Sequence, residues 1–157
     1  MLPVLPGTSQ TEILLSLWRH WVWADRMREL FDYYIKSDFD KLPNDFLSNS
    51  SFWVSSMITA MFLWYGLLYA VCDGIEKGYG TSVNTIAPAF KNIRGRLQKF
   101  RNAVFHVQPN FWSPKLMEIL SDPEAAHEIR TVHHQVGEWL RKQIEPFDSQ
   151  TISKNGS

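Results

Sequence analysis

The sequence predicts an all-α fold, a single-domain antiparallel bundle of four to five helices. Residues 11–37 and 86–107 carry apolar side chains at alternating steps of three and four, which is the spacing of one helical face. Residues 51–77 are apolar almost all round, as expected of a central helix. No alternating strand pattern and no strand-flanked Asn-Gly turn occurs, so strands are not expected.

The length and composition are those of one ordinary domain with a substantial core. The chain has 157 residues, of which 45% are hydrophobic and 14% aromatic. We place the domain at residues 11–147. Residues 1–10, which include Pro3, Pro6 and Gly7, form a predicted flexible lead, and the polar residues 148–157 form a predicted disordered tail.

The first helix is predicted from Thr11 to about Ser37, because this stretch contains neither glycine nor proline. Its three tryptophans, Trp18, Trp21 and Trp23, suit either a stacking platform for nucleic-acid bases or a packed core. Aromatic side chains on a helical stripe more often belong to the core or to a dimer contact, and this interpretation is favoured.

The second helix is predicted to begin after Ser50 or Ser51 as N-cap and to reach about Lys77. No charged residue occurs from Phe46 to Cys72, so the stretch is long and apolar enough to span a membrane. The amphipathic helices beside it need an apolar partner. A central helix of a soluble bundle, without membrane contact, therefore explains the same composition better.

The remaining helices are delimited by prolines. The third runs toward Pro109, which disfavours helical geometry at Gln108, so His106 is expected in its last turn. Ser113 and Pro114 start a short helix to about Leu120. The last long helix begins after Asp122 and is predicted to stop before Pro146.

The charge is balanced overall but unevenly distributed. The formal net charge is zero, whereas residues 77–117 contain seven lysines and arginines and no acidic residue. This segment either creates a local positive field or forms a solvated face whose charges are balanced by acids on neighbouring helices. The single cysteine, Cys72, and the absence of a signal-peptide pattern favour a reducing compartment, the cytoplasm.

No metal or cofactor motif is present. His127 and His133 are six residues apart rather than four, and the adjacent His133 and His134 point about 100° apart on a helix. Neither a phosphate-binding glycine loop nor a Gly-x-Ser-x-Gly turn occurs. We therefore expect neither a metal site nor a cofactor.

The third helix carries the candidate site on the arc opposite its apolar stripe. This arc is formed by Arg101, Arg94, Phe105, Gln98, Lys91, Asn102, His106 and Lys99. Within it, the Arg101-Asn102-x-x-x-His106 motif resembles the HEPN superfamily, helical bundles whose ribonuclease members carry Arg, a polar residue and then His. The resemblance in helix order covers roughly residues 12 to 145.

The resemblance implies a metal-independent endoribonuclease that acts as a toxin or defence effector, with a site built across a homodimer. Cleavage of RNA through its own 2′-hydroxyl needs a base, an acid and positive charge at the phosphate. Histidine, whose unperturbed pKa is about 6.5, suits proton transfer, so His106 is the candidate. Arg101 would hold a phosphate oxygen, and Asn102 would orient the imidazole or contact the phosphate. Lys91, Arg94 and Lys99 are the predicted RNA or phosphate contacts.

One chain offers only one such histidine, whereas a two-fold dimer would bring two into one cleft. Phe105 and Gly95 lie in the same arc and would help such an interface. The resemblance also implies a nucleotidyltransferase-type antitoxin as partner for toxin members. The alternative is a non-catalytic module that binds a nucleotide, RNA or protein, in which Arg101 pairs with Asp73 or Glu76 and His106 caps the helix.

Overall fold

The computed structural model describes residues 9–38, 41–42, 45, 49–111 and 113–154, with the backbone alone described at 38, 50 and 148–154. This part of the chain is helical and contains no strand, so the all-α prediction is confirmed. The helices, in chain order, are α1 (Gln10–Asp38), α2 (Ser50–Trp53), α3 (Ser56–Gly74, continued by a π-helical turn Ile75–Tyr79), α4 (Val83–Ile86), α5 (Phe90–Phe105), α6 (Pro114–Leu120) and α7 (Pro123–Lys154).

Helix α3 is the centre of the bundle. It packs against α1, α5 and α7, and α1 also contacts α7. Trp64 and Leu68 of α3 are fully buried, together with Phe100 of α5 and Leu140 of α7. The apolar character of the second predicted helix is thus explained by neighbours on several sides.

One helical stretch in the described part of the chain, Ser56–Tyr79, is long and apolar enough for a membrane span. In the bundle, 72% of its most apolar window is buried by the rest of the chain. That burial is typical of the core helix of a soluble protein, the interpretation that the neighbouring amphipathic helices favoured.

The start of α1 and the start of α3 differ from the predictions. Helix α1 begins at Gln10, because Ser9 and Glu12 form a capping box: the Ser9 backbone N–H donates to Glu12 Oε2 at 2.8 Å, and the Glu12 N–H donates to Ser9 Oγ at 3.2 Å. The second predicted helix is divided. Its first turn, α2, is capped by Asn49, and α3 starts anew after Ser55, whose hydroxyl accepts the Ile58 N–H.

The predicted end of the last helix is wrong. Helix α7 passes through Pro146 and reaches Lys154, so residues 148–154 of the predicted disordered tail are helical. Pro146 has no N–H to donate to the carbonyl of Lys142, so one helical hydrogen bond is missing. Lys142 is exposed, so water can donate to its carbonyl instead. Residues 155–157 lie outside the described chain, as do residues 1–8 of the predicted lead.

Candidate functional site

The apolar stripe of α5 fixes which of its side chains face outward. Phe90, Ile93, Leu97 and Phe100 are all at most 1% exposed. The Phe100 ring packs edge-on against Phe62 and at a tilt against Tyr65, both on α3. Arg101 and Asn102, which follow Phe100, are therefore turned toward the groove between α3 and α5 and are partly exposed.

His106 lies one residue beyond the end of α5, not in its last turn as predicted. Its backbone is extended, with φ −125° and ψ 130°, and its N–H donates to the Asn102 carbonyl at 3.0 Å. Pro109 has no N–H to donate to the Phe105 carbonyl, so the helix cannot continue in register. As a consequence, His106 is exposed, and Val107, predicted on the buried stripe, is fully exposed.

Arg101 and Asn102 are brought together by the structure. The Arg101 guanidinium donates to Asn102 Oδ1 at 3.0 Å and lies 5.6 Å from the centroid of the Phe105 ring. The Asn102 amide oxygen therefore faces Arg101, while Asn102 reaches His106 through its backbone carbonyl. Of the two roles predicted for the Asn102 amide, the contact with the imidazole is not formed, and the contact with a phosphate stays a prediction.

A cavity of about 170 Å³ opens beside this pair, in the groove between α3 and α5. Arg101, Asn102 and Gln98 line it from α5, and Tyr69 and Asp73 line it from α3. Asp73 is nearly buried and is bonded to Lys77, with Oδ1 and Nζ 2.8 Å apart. Burial raises the pKa of the Tyr69 hydroxyl. The cavity is thus polar, and His106 does not line it.

Neighbouring acids neutralise most of the basic segment 77–117. Arg94 pairs with Glu76 at 2.5 Å, and Lys99 lies 3.4 Å from Glu118. Lys77 pairs with Asp73, and Arg96 pairs with Asp122 and Glu128. Within the described chain, the three bases of this segment that make no ion pair are Lys91, Arg101 and Lys115. The expectation that Arg101 pairs with Asp73 or Glu76 is not met.

Lys91, Arg94 and Lys99, the predicted phosphate contacts, consequently differ in whether an acid already pairs with them. Lys91 is exposed and unpaired in the described chain, as a phosphate contact requires. To bind a phosphate, Arg94 and Lys99 would each have to break the ion pair with a glutamate or contact the glutamate and the phosphate together. Their assignment stays a prediction.

A second polar cluster, around His133 of α7, was missed by the sequence analysis. His133 is 3% exposed; its Nε2 atom lies 2.9 Å from Asp25 Oδ1, and its Nδ1 atom accepts the Trp64 Nε1–H at 3.1 Å. Arg28 bridges Asp25 and Asp32, at 2.8 and 2.9 Å. A cavity of about 460 Å³ adjoins this network, lined by Trp21, Asp25, Arg28, Arg130, His133 and His134.

The hydrogen bonds of His133 exclude a role as general base. Trp64 can only donate, so Nδ1 carries the lone pair and that lone pair is engaged. The proton is on Nε2 and faces Asp25. Burial lowers the pKa of His133 and outweighs the hydrogen bond to Asp25, which raises it. The cluster is thus a hydrogen-bonded network around a buried, neutral imidazole, with acids and an arginine that are about a quarter exposed.

Two of the three tryptophans of α1 belong to the core. Trp18 and Trp21 pack against the core, and Trp21 also stacks on His133 with ring centroids 5.1 Å apart. Trp23 is 49% exposed. The core interpretation therefore holds for the first two.

Among the described residues, no group of three or more His, Cys, Asp or Glu side chains is placed to hold a metal ion.

Comparison of the chain with protein-family models, with curated proteins and with solved structures gave no match. The resemblance of the Arg101-Asn102-x-x-x-His106 motif to the HEPN superfamily therefore remains a prediction from the sequence.

Proposed function

We propose that this protein is a metal-independent endoribonuclease of the HEPN type, which cleaves RNA by attack of the 2′-hydroxyl on the adjacent phosphate. In this proposal Arg101 binds a nonbridging phosphate oxygen, Asn102 positions the Arg101 guanidinium, and His106 transfers the proton. The products are a 2′,3′-cyclic phosphate and a free 5′-hydroxyl.

The state of Arg101 is the observation that carries the proposal. Four of the seven bases in segment 77–117 are neutralised by acids, whereas Arg101 makes no ion pair within the described chain and lines a polar cavity. Its bond to Asn102 Oδ1 fixes the guanidinium without cancelling its charge. A planar, fixed and uncompensated guanidinium suits the bidentate binding of a phosphate.

The exposure of His106 supports a site that is completed by a second copy. The reaction needs a base for the 2′-hydroxyl and an acid for the leaving 5′-oxygen, and each chain supplies one exposed histidine at this place. A two-fold axis near the end of α5 would put two His106 and two Arg101 side chains in one cleft. Gly95, with open space around its Cα, would permit close approach of the second copy.

The biological setting belongs to the same proposal. A homodimeric cytoplasmic ribonuclease of this kind would serve as a toxin or defence effector, and a nucleotidyltransferase-type antitoxin would be its partner. A genomic neighbour that encodes a nucleotidyltransferase would support this part of the proposal.

The test is cleavage of single-stranded RNA by the purified protein in the presence of a chelator. We expect cyclic-phosphate products from the wild type, and a loss of at least about 100-fold in rate for His106→Ala and Arg101→Ala. Lys115→Ala removes an exposed, unpaired lysine outside the site and serves as the matched control. A wild-type dimer that leaves all RNA intact would contradict the proposal.

The second candidate function is a non-catalytic module that binds RNA, a nucleotide or a protein. It is favoured by the position of His106 outside the cavity and by the Asp73 carboxylate inside it, which reduces the positive potential around Arg101. Saturable RNA binding that is lost in Arg101→Ala, without turnover by the wild type, would identify this function.

A further inference from the structure

Phe105, the last residue of α5, is a large aromatic side chain that remains half exposed. It is 48% exposed although its ring rests on α3. The contact is possible because residue 66 is a glycine: a Cβ atom there would lie 2.7 Å from Phe105 Cε2. The bare backbone of α3 therefore meets the Cε2 edge of the ring, the Arg101 guanidinium lies over the ring, and about half of the side chain is open to solvent.

The ring is adjacent to the uncompensated cation of the proposed site. The Arg101 guanidinium lies 5.6 Å from the centroid of Phe105, and Asn102 holds it from the other side. His106 follows directly in the chain and is exposed. A half-exposed aromatic ring and a partly exposed guanidinium thus lie together, and the exposed His106 is the next residue in the chain.

We infer that Phe105 is a stacking platform for an unpaired nucleobase of single-stranded RNA, whose neighbouring phosphate is bound by Arg101. This inference rests on the proposed function and adds a positioning residue and the part of the substrate that it holds. Base–aromatic stacking combined with a nearby cation is the usual means of holding single-stranded nucleic acid. A base within a duplex is already stacked on both sides and cannot occupy the ring, so single strands are selected.

The charge of the corner favours RNA over a protein partner. An apolar protein surface that covered Phe105 would also have to desolvate Arg101, which forms no ion pair with any described residue. A phosphate supplies the missing negative charge, and the base supplies the apolar contact. One nucleotide satisfies both groups.

The experiment measures binding of a short single-stranded 2′-O-methyl oligoribonucleotide, which cannot be cleaved because its attacking hydroxyl is blocked. Fluorescence anisotropy gives the dissociation constant for the intact strand and for strands in which one nucleotide at a time lacks its base. We expect one abasic position to weaken binding by wild type about 10-fold, and Phe105→Ala to weaken binding of the intact strand by about the same factor. Binding of the abasic strand by Phe105→Ala should be no weaker than either single change makes it, because both changes remove the same stacking contact.

Two further variants separate stacking from packing. Phe105→Leu retains an apolar contact with Gly66 but has no aromatic face, and should lose the same affinity as Phe105→Ala. Val107→Ala changes a fully exposed aliphatic neighbour and should bind as wild type does. Circular dichroism confirms that each variant is folded.

Three results would overturn the inference: equal losses for Phe105→Ala on intact and abasic strands, equal affinity of wild type for single strands and duplex, or a Phe105→Ala effect confined to dimer dissociation. Cleavage of RNA by the wild type is scored separately. An enzyme that cleaves RNA without this base dependence would refute the platform and leave the proposed function standing.

Discussion

The indole Nε1–H of Trp64 donates to Nδ1 of His133 at 3.1 Å, so a tryptophan at the centre of α3 fixes the tautomer of a histidine on α7. The other imidazole nitrogen faces Asp25 on α1 at 2.9 Å. Three long helices of the bundle are therefore joined through one buried imidazole. Protonation of Nδ1 would place two N–H groups against each other, which adds to the cost of burying the charge.

The stability of the protein is expected to fall as the pH falls below the ordinary histidine pKa of 6.5. Burial lowers the pKa of His133 in the folded state, so between the two pKa values the unfolded chain binds a proton that the folded chain does not. The free energy of unfolding then decreases with decreasing pH in this window, and His133 has no effect on its slope above it. The pKa values of Asp25 and Asp32 are lowered from 3.8, so these groups act at lower pH.

Urea unfolding at about pH 7.5 and about pH 5 measures this effect, since the two values bracket the ordinary histidine pKa. His133→Gln should show a smaller loss between them than the wild type does. The matched control is His134→Gln, which changes the adjacent, exposed histidine and should keep the wild-type loss. An equal loss in all three proteins would contradict the assignment.

Two helical glycines should respond oppositely to alanine. At Gly137 of α7 a Cβ atom would lie 2.2 Å from Cζ2 of Trp21, whose indole donates to the His133 carbonyl. Gly137→Ala should therefore lower the free energy of unfolding by about 1–3 kcal/mol. A Cβ atom at Gly95 of α5 would have nothing within 4 Å in the single chain, so Gly95→Ala should raise the free energy of unfolding of the monomer by about 0.5–1 kcal/mol. Urea unfolding measures both changes. A Gly137→Ala variant as stable as the wild type would show that Trp21 does not pack against α7 at this glycine.

Lys91 is expected to contribute one phosphate contact to RNA binding. Each phosphate that a protein neutralises on a single strand contributes about 0.7 to the slope of log affinity against log salt. Lys91→Ala should reduce the magnitude of that slope by about this amount. Lys115→Ala, which removes another unpaired exposed lysine, should leave the slope unchanged. An identical slope for both variants and the wild type would show that Lys91 does not contact a phosphate of the RNA.

Local pattern predicted most of the fold. The stripe Phe90, Ile93, Leu97 and Phe100 is buried as its spacing indicated, and α6 has its predicted limits, Pro114–Leu120. Ser9 and Glu12 form a capping box that was present in the sequence and would have given the correct start of α1. Val107 was misplaced because periodicity alone does not show where the hydrogen bonds of α5 end.

The network around His133 could not be predicted in the same way. Trp64 is 69 residues from His133 along the chain, and Asp25 is 108 residues from it, so their meeting depends on how three helices pack. The same holds for the seating of Phe105 on Gly66 and for the acids that neutralise Arg94 and Lys99. Helical spacing placed Arg101 and Asn102 on an outward arc, but their cavity is formed by side chains of α3.

A subunit-mixing experiment tests the proposal of a site shared by two copies most directly. Wild type and His106→Ala are exchanged into mixed dimers at varying ratios, and the initial rate of RNA cleavage is measured at constant total protein. If both His106 side chains are needed in one cleft, the rate falls as the square of the wild-type fraction. A rate that falls in direct proportion to the wild-type fraction would mean that each chain acts alone, and would contradict the shared site.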